Sequence, residues 1–185
     1  MKKALLIVFG IAVVIGLWAV SGYNKLVGYS EAVPESWAQV ETVLQRRYDL
    51  IPNLVNTVKG YAKHEKELLT EVTRLRSQWG EAKNPDQKMA ASTGLESALS
   101  KLMVVVEQYP QLKANESFIR LQDELAGTEN RISVERMRYN ETVKTYNVTA
   151  KGFPTNILAG MFGFKKAEGY FEAEKTAQQA PKVAF

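Results

Sequence analysis

The chain opens on an unbroken apolar block and then changes rhythm. From Ala4 to Asn24 no residue carries a formal charge, the run reading ALLIVFGIAVVIGLWAVSGYN. At ~1.5 Å per helical residue it reaches across a hydrocarbon layer of ~30 Å. Trp18 and Tyr23 stand where an interfacial aromatic belt belongs, and Ala4 to Tyr23 reads as a transmembrane helix. A cleaved signal peptide is the competing reading, since Lys2 and Lys3 form a basic leader and Ala19-Val20-Ser21 places small residues at the cleavage spacing. The apolar run exceeds the usual h-region of ~7–15 residues, which favours retention. Ala12 and Gly16 add a small-xxx-small pair of the kind that lets two helices approach closely.

Downstream the apolar residues recur at steps of three and four. Trp37, Val40, Leu44, Tyr48, Ile51, Val55, Val58, Ala62, Leu68, Val72, Leu75 and Trp79 keep one phase, which predicts amphipathic helix over 35–81. Pro34, with Ser36 and Gln39 spaced as a capping box, predicts its start. Pro52 removes a backbone bond and predicts a kink. At Gly60 two readings stay open: one long kinked helix, or two antiparallel helices that turn there. Asn84-Pro85-Asp86 marks a turn, and Leu95, Leu99, Leu102, Val106 and Tyr109 carry a further stripe up to Pro110. After Asn115 a long stripe runs through Phe118, Leu121, Leu125, Thr128, Ile132, Glu135, Tyr139, Val143 and Tyr146.

No segment alternates with β-branched enrichment, so no sheet is expected. The predicted fold is all-α: an N-terminal transmembrane helix followed by an antiparallel up-and-down helical bundle with long kinked helices. The expected divisions are a transmembrane anchor (1–25), the bundle (26–151), and a short apolar segment with a flexible C-terminal tail (152–185).

Charge and composition narrow the function classes. The sequence pI of 9.2 suggests a basic protein, yet of the 24 basic residues two precede the span, and 20 acidic residues oppose the rest. No stretch interleaves clustered Lys and Arg with aromatics, so nucleic acid is not an expected partner. Lys165 and Lys166 make a small cationic pair beside the apolar 156–164 segment. With no cysteine, disulfides and thiolate chemistry are excluded. Lys2, Lys3 and the amino terminus before the span, against Lys25 close behind it, predict a cytoplasmic N-terminus.

Catalytic constellations do not assemble. His64 is the single histidine, and His64-Glu65 lacks the second histidine that the helical zinc signature needs. Tyr61 stands where a Glu-x-x-His pair would put its glutamate, and one histidine far from any serine elbow leaves no activated nucleophile. Neither an enzyme nor a cofactor is expected. The informative polar residues are those at or beside the stripes: Thr128 and Glu135, with Glu129, Asn130 and Arg131, and Arg46, Arg47 and Asp49 ahead of Pro52. Buried polar groups need partners, so a bonded layer between these segments is expected. It serves either to fix register or to bind a ligand.

The same residues carry a resemblance. Arg46-Arg47-x-Asp49-Leu50-Ile51-Pro52-Asn53-Leu54-Val55, Val58-Lys59-Gly60-Tyr61-Ala62, Thr128-Glu129-Asn130-Arg131-Ile132, Tyr139-Asn140 and Tyr146-Asn147 resemble the LemA family of bacterial membrane proteins. The resemblance implies one span, an up-and-down bundle and no enzymatic activity. Some members are encoded near membrane zinc metallopeptidases, which implies an accessory role. The expectation is a scaffold or adaptor in the lipid bilayer of the bacterial plasma (inner) membrane, single-pass, with its bundle extracytoplasmic. It would self-associate as a homo-oligomer and present a helical surface to envelope proteins, such a metallopeptidase among them. The alternative is a small-ligand or signal-sensing module at Arg47, Asp49, Glu129 and Asn130. Self-association is expected from aromatics near the turns, Trp79, Tyr109 and Phe118, and from the apolar 156–164 segment. The ending Pro181-x-Val183-x-Phe185 resembles that of many family members and suits a docking peptide, with Val183 and Phe185 as alternate anchors.

Overall fold

In the computed structural model, which describes residues 1–62 and 64–171, every regular element among the described residues is a helix. They are α1 (Lys2–Tyr61), α2 (Lys66–Glu81), α3 (Pro85–Val106), α4 (Pro110–Lys113), α5 (Glu116–Lys151) and α6 (Thr155–Phe162). The chain forms two compact units, Met1–Ala38 with Arg138–Tyr170, and Gln39–Met137 with Phe171. The tail motif Pro181, Val183 and Phe185 lies outside the described residues.

The helix start expected at Pro34 and Ser36 does not occur, because α1 is one helix of 60 residues. Its buried stripe already runs through Leu26 and the partly buried Val33 on the way to Val40 and Leu44, so packing holds the phase across Pro34. Ser36 caps nothing; its hydroxyl donates to the Val33 carbonyl at 2.9 Å inside the helix. Pro52 is accommodated from outside. It has no N–H for the carbonyl four residues back, that of Tyr48, and Arg76 Nε of α2 donates to that carbonyl at 3.1 Å. Of the two readings at Gly60, the turn is the one found: α1 ends at Tyr61 and α2 folds back antiparallel, stacking Trp79 on Tyr48 at 4.2 Å and 14°.

Within the second unit, α1, α2, α3 and α5 run up and down around a shared core. Leu44, Ile51, Leu54 and Val58 of α1, Val72 and Leu75 of α2, Leu95 and Leu102 of α3, and Phe118 and Ile132 of α5 are all buried. Each such side chain contributes roughly 1.5–3 kcal/mol before entropy is counted. Asn84 caps α3, its Oδ1 accepting from Gln87 N at 2.9 Å, with Pro85 in the first turn. Asn115 does the same for α5, accepting from Phe118 N at 3.0 Å. Trp79 and Phe118 are therefore interior residues rather than exposed turn aromatics. α3 is long and apolar enough to cross a membrane, but Leu95, Leu99, Leu102 and Val106 are buried in the core.

In the first unit, the lower part of α1 lies antiparallel to the end of α5, with Trp37 edge-on to Tyr139 at 5.5 Å. Leu26, Tyr146, Ala150, Leu158 and Ala159 make its core. The start of α1 is long and apolar enough to cross a membrane, and none of that stretch is buried by the rest of the chain.

Candidate functional site

Of the residues singled out by sequence, two polar arrangements hold Arg47 and Glu129, and Tyr146 and Asn147. The first spans three helices of the second unit. Arg47, 8% exposed on α1, donates to the Glu129 carboxylate of α5 and lies 3.9 Å from Glu96 of α3. Glu96 accepts from Arg136 of α5 at 2.5 Å, and the same guanidinium nitrogen of Arg136 donates to Ser92 Oγ at 3.1 Å. The Phe171 ring faces the Arg136 guanidinium at 4.9 Å. One carboxylate thus bridges two arginines, and the chain Arg47–Glu96–Arg136 pins α1, α3 and α5 at one level.

Sequence adjacency overstated the membership of this layer. Arg46, Asp49, Asn53, Asn130 and Arg131 are exposed, and Asp49 accepts from Gln45 on its own helix at 2.7 Å. Thr128 is buried but donates to the Leu125 carbonyl at 2.8 Å, so it requires nothing from another helix. Ser92, Glu96 and Arg136 were missed by the sequence reading. Ser92 and Glu96 sit one turn apart on α3, and Glu96 and Arg136 each follow a stripe residue, Leu95 and Glu135, which puts them beside the buried face without naming their partners.

Four buried polar atoms in and beside this layer have no hydrogen-bond partner: Arg47 Nε, Tyr48 OH, Trp79 Nε1 and Arg136 Nε. Burial pushes the Tyr48 phenol well above its ordinary pKa, and Glu96 adds to the rise while Arg47 and Arg136 oppose it. Removing an unpartnered buried hydroxyl is close to neutral or stabilising, by about 1 kcal/mol. Tyr48→Phe is therefore expected to hold or raise the melting temperature at neutral pH. Because the folded pKa is raised, the Tyr48 contribution is intact below the unfolded value of 10.0 and fades as pH rises through the folded one. The variant should accordingly lose less stability than the parent in alkaline melts. A clear loss at neutral pH would reveal a partner for the hydroxyl.

The second arrangement is a clamp in the first unit. Asn147, buried on α5, donates from Nδ2 to the Ala167 carbonyl at 2.9 Å and to Tyr170 OH at 3.0 Å, while its Oδ1 accepts from Ala167 N at 2.9 Å. Tyr146 OH donates to the Lys165 carbonyl at 2.6 Å. Tyr139 is buried against Trp37, and Asn140 is half-buried and engaged. The Tyr-Asn pair at 146 and 147 thus ties down the chain that follows α6.

A separate groove of about 1120 Å³ opens where α1 and α2 meet, lined by Lys59, His64, Lys66 and Arg74 over Val55 and Leu69. It shares no residue with the arginine layer, and its Arg74 is engaged by Glu71 at 2.6 Å. Among the described residues no three His, Asp or Glu side chains stand close enough to hold a metal ion.

Fold and site together define an all-α protein with a long apolar first helix and a polar layer locked by arginine. The chain belongs to the LemA family, whose profile matches residues 36–185. It is similar to two magnetosome proteins MamQ of Paramagnetospirillum magneticum, each 30% identical across 83% of this chain and 65% of its own length. It is also similar to the Protein LemA of Metamycoplasma hominis, 25% identical across 65% of this chain and 55% of that protein. The chain thus spans somewhat under two thirds of the length of these relatives. None of their names denotes an enzyme.

Proposed function

We propose that this protein is a non-enzymatic scaffold of the bacterial plasma membrane. It is held by the start of α1, has its N-terminus in the cytoplasm and its bundle outside, associates with its own copies and offers a helical surface to envelope partners such as membrane metallopeptidases. The observation that carries the reading is the start of α1, which is long and apolar enough to cross a membrane and is left unburied by the rest of the chain. Relatives named for a cell structure rather than for a reaction fit this part.

Self-association is the testable centre of the proposal. Cross-linking of the full chain in intact membranes is expected to trap dimers or larger species. A strictly monomeric protein at every expression level would overturn the scaffold reading.

The four unpartnered buried atoms of the arginine layer favour a second reading, in which a small polar molecule completes that layer and the bundle reports its presence. A melting shift of the parent in metabolite mixtures, lost in Tyr48→Phe, would support it over the first.

A further inference from the structure

α6, with the sequence TNILAGMF, divides into two faces. Leu158 and Ala159 are buried in the core of the first unit, whereas Ile157, Met161 and Phe162 are 51%, 74% and 57% exposed, and Phe153 just before the helix is 85% exposed. Four large apolar side chains on one short segment form a patch that water does not favour.

The position of the patch indicates what covers it. α6 sits against α1 where the apolar run of α1 ends. A Cβ built on Gly22 would lie 2.7 Å from Leu158 Cδ1, so the two helices approach closely there and a larger residue would push the Leu158 side chain aside. The Tyr23 ring meets Phe162 edge-on at 4.8 Å and Phe164 at 5.9 Å. The exposed apolar surface of α1, which includes Val14 and Trp18, therefore continues into the exposed face of α6. Cations flank the segment in sequence, with Lys151 at the end of α5 and Lys165 and Lys166 after α6, all exposed. The Tyr146 and Asn147 clamp anchors the segment behind α6, so the patch is held rather than dangling.

We infer that α6 is an interfacial helix that lies in the headgroup layer of the bilayer crossed by α1, with Phe153, Ile157, Met161 and Phe162 dipping into the acyl boundary and the flanking lysines at the phosphates. This rests on the anchored reading of α1. The chemistry is that of in-plane amphipathic helices, which seat an apolar face ~5–10 Å into the boundary beside basic residues. Aromatics such as Tyr23, Phe162 and Phe164 suit that depth. The collar fixes the height of the first unit on the membrane and gives α1 a second point of contact with lipid, which resists tilting.

Because the protein has no cysteine, single cysteines bearing the fluorophore NBD report depth in the full chain. Met161→Cys, Phe153→Cys, Val14→Cys and Val104→Cys would be reconstituted into vesicles of phosphatidylcholine and phosphatidylglycerol carrying nitroxide lipids. Val14→Cys is expected to lose most of its emission to a nitroxide deep in the acyl chain. Met161→Cys and Phe153→Cys should lose most of theirs to a nitroxide near the carbonyls, and Val104→Cys to neither. Quenching at Val14 without quenching at either α6 position overturns the inference and leaves the anchor standing; no quenching at Val14 overturns both. Protection of Met161 that grows with protein density, without lipid quenching, also overturns it and assigns the patch to a second copy. Phe153, which is almost fully exposed, serves where a change at Met161 disturbs folding.

Discussion

Glu96→Leu is expected to destabilise the bundle by about 3–5 kcal/mol, a large effect for the loss of one carboxylate. Among the described residues, Glu96 is what bridges Arg47 and Arg136, at 3.9 and 2.5 Å. The side chains of those arginines are 10% and 18% exposed, and each already leaves its Nε unpartnered. Without Glu96, Arg136 keeps Ser92 Oγ and the face of Phe171, neither of which carries charge. An uncompensated buried cation costs more than the pair contributed, since desolvation is no longer offset. Glu96→Gln should fall between parent and Leu, keeping a hydrogen-bond acceptor while losing the charge. Adding Arg136→Met to Glu96→Leu should recover much of the loss, because a matched removal strands less charge. Chemical denaturation of the detergent-solubilised chain measures all three. A change below ~1 kcal/mol for Glu96→Leu would mean that water or another molecule compensates the arginines, which would move the argument toward the ligand reading.

The helices were legible because burial repeats along them. Val40, Leu44, Tyr48, Ile51 and Val58 are buried as their spacing requires, and so are Leu125, Ile132, Tyr139 and Val143. Continuity was less legible. Pro34 and Ser36 resembled a start, yet a helix already formed upstream loses a single bond at a proline, and the packing of Leu26 and Val33 outweighs it. A bonded layer was expected from polar residues at or beside stripe positions, and of these Arg47 and Glu129 are the two that pair across helices. Their neighbours did not join them, because successive residues on a helix point about 100° apart, and Arg46, Asp49, Asn130 and Arg131 turn to solvent. Glu96 and Arg136 escaped notice for another reason. Which residue of α3 stands level with which residue of α5 depends on the register set by the loops, and periodicity within one helix does not encode it. The same holds for Asn147: its spacing gives a helix face, but its partner lies beyond α6.

Asn147→Ala is expected to release the segment after α6 and to cost about 2–4 kcal/mol, given net contributions of ~0.5–1.5 kcal/mol per bond and the penalty for partners left dry. The primary amide of Asn147 has an acceptor and a donor side by side, and it pairs with both the N–H and the C=O of Ala167, as another peptide group would. Alanine leaves both Ala167 groups unpaired and removes the donor to Tyr170 OH. The loss should be local first, because the core of Leu26, Ala150 and Leu158 does not depend on those bonds. Hydrogen exchange at the Ala167 amide should therefore accelerate by roughly one to three powers of ten, at about 1.4 kcal/mol per tenfold, while exchange in α2 and α3 stays unchanged. Asn147→Asp separates the two halves of the clamp: its carboxylate still accepts from Ala167 N but faces the Ala167 carbonyl without a proton to donate, so it should recover only part of the protection. Equal exchange at Ala167 in all three proteins would mean that Tyr146, through Lys165, and the packing of Phe164 hold the segment alone.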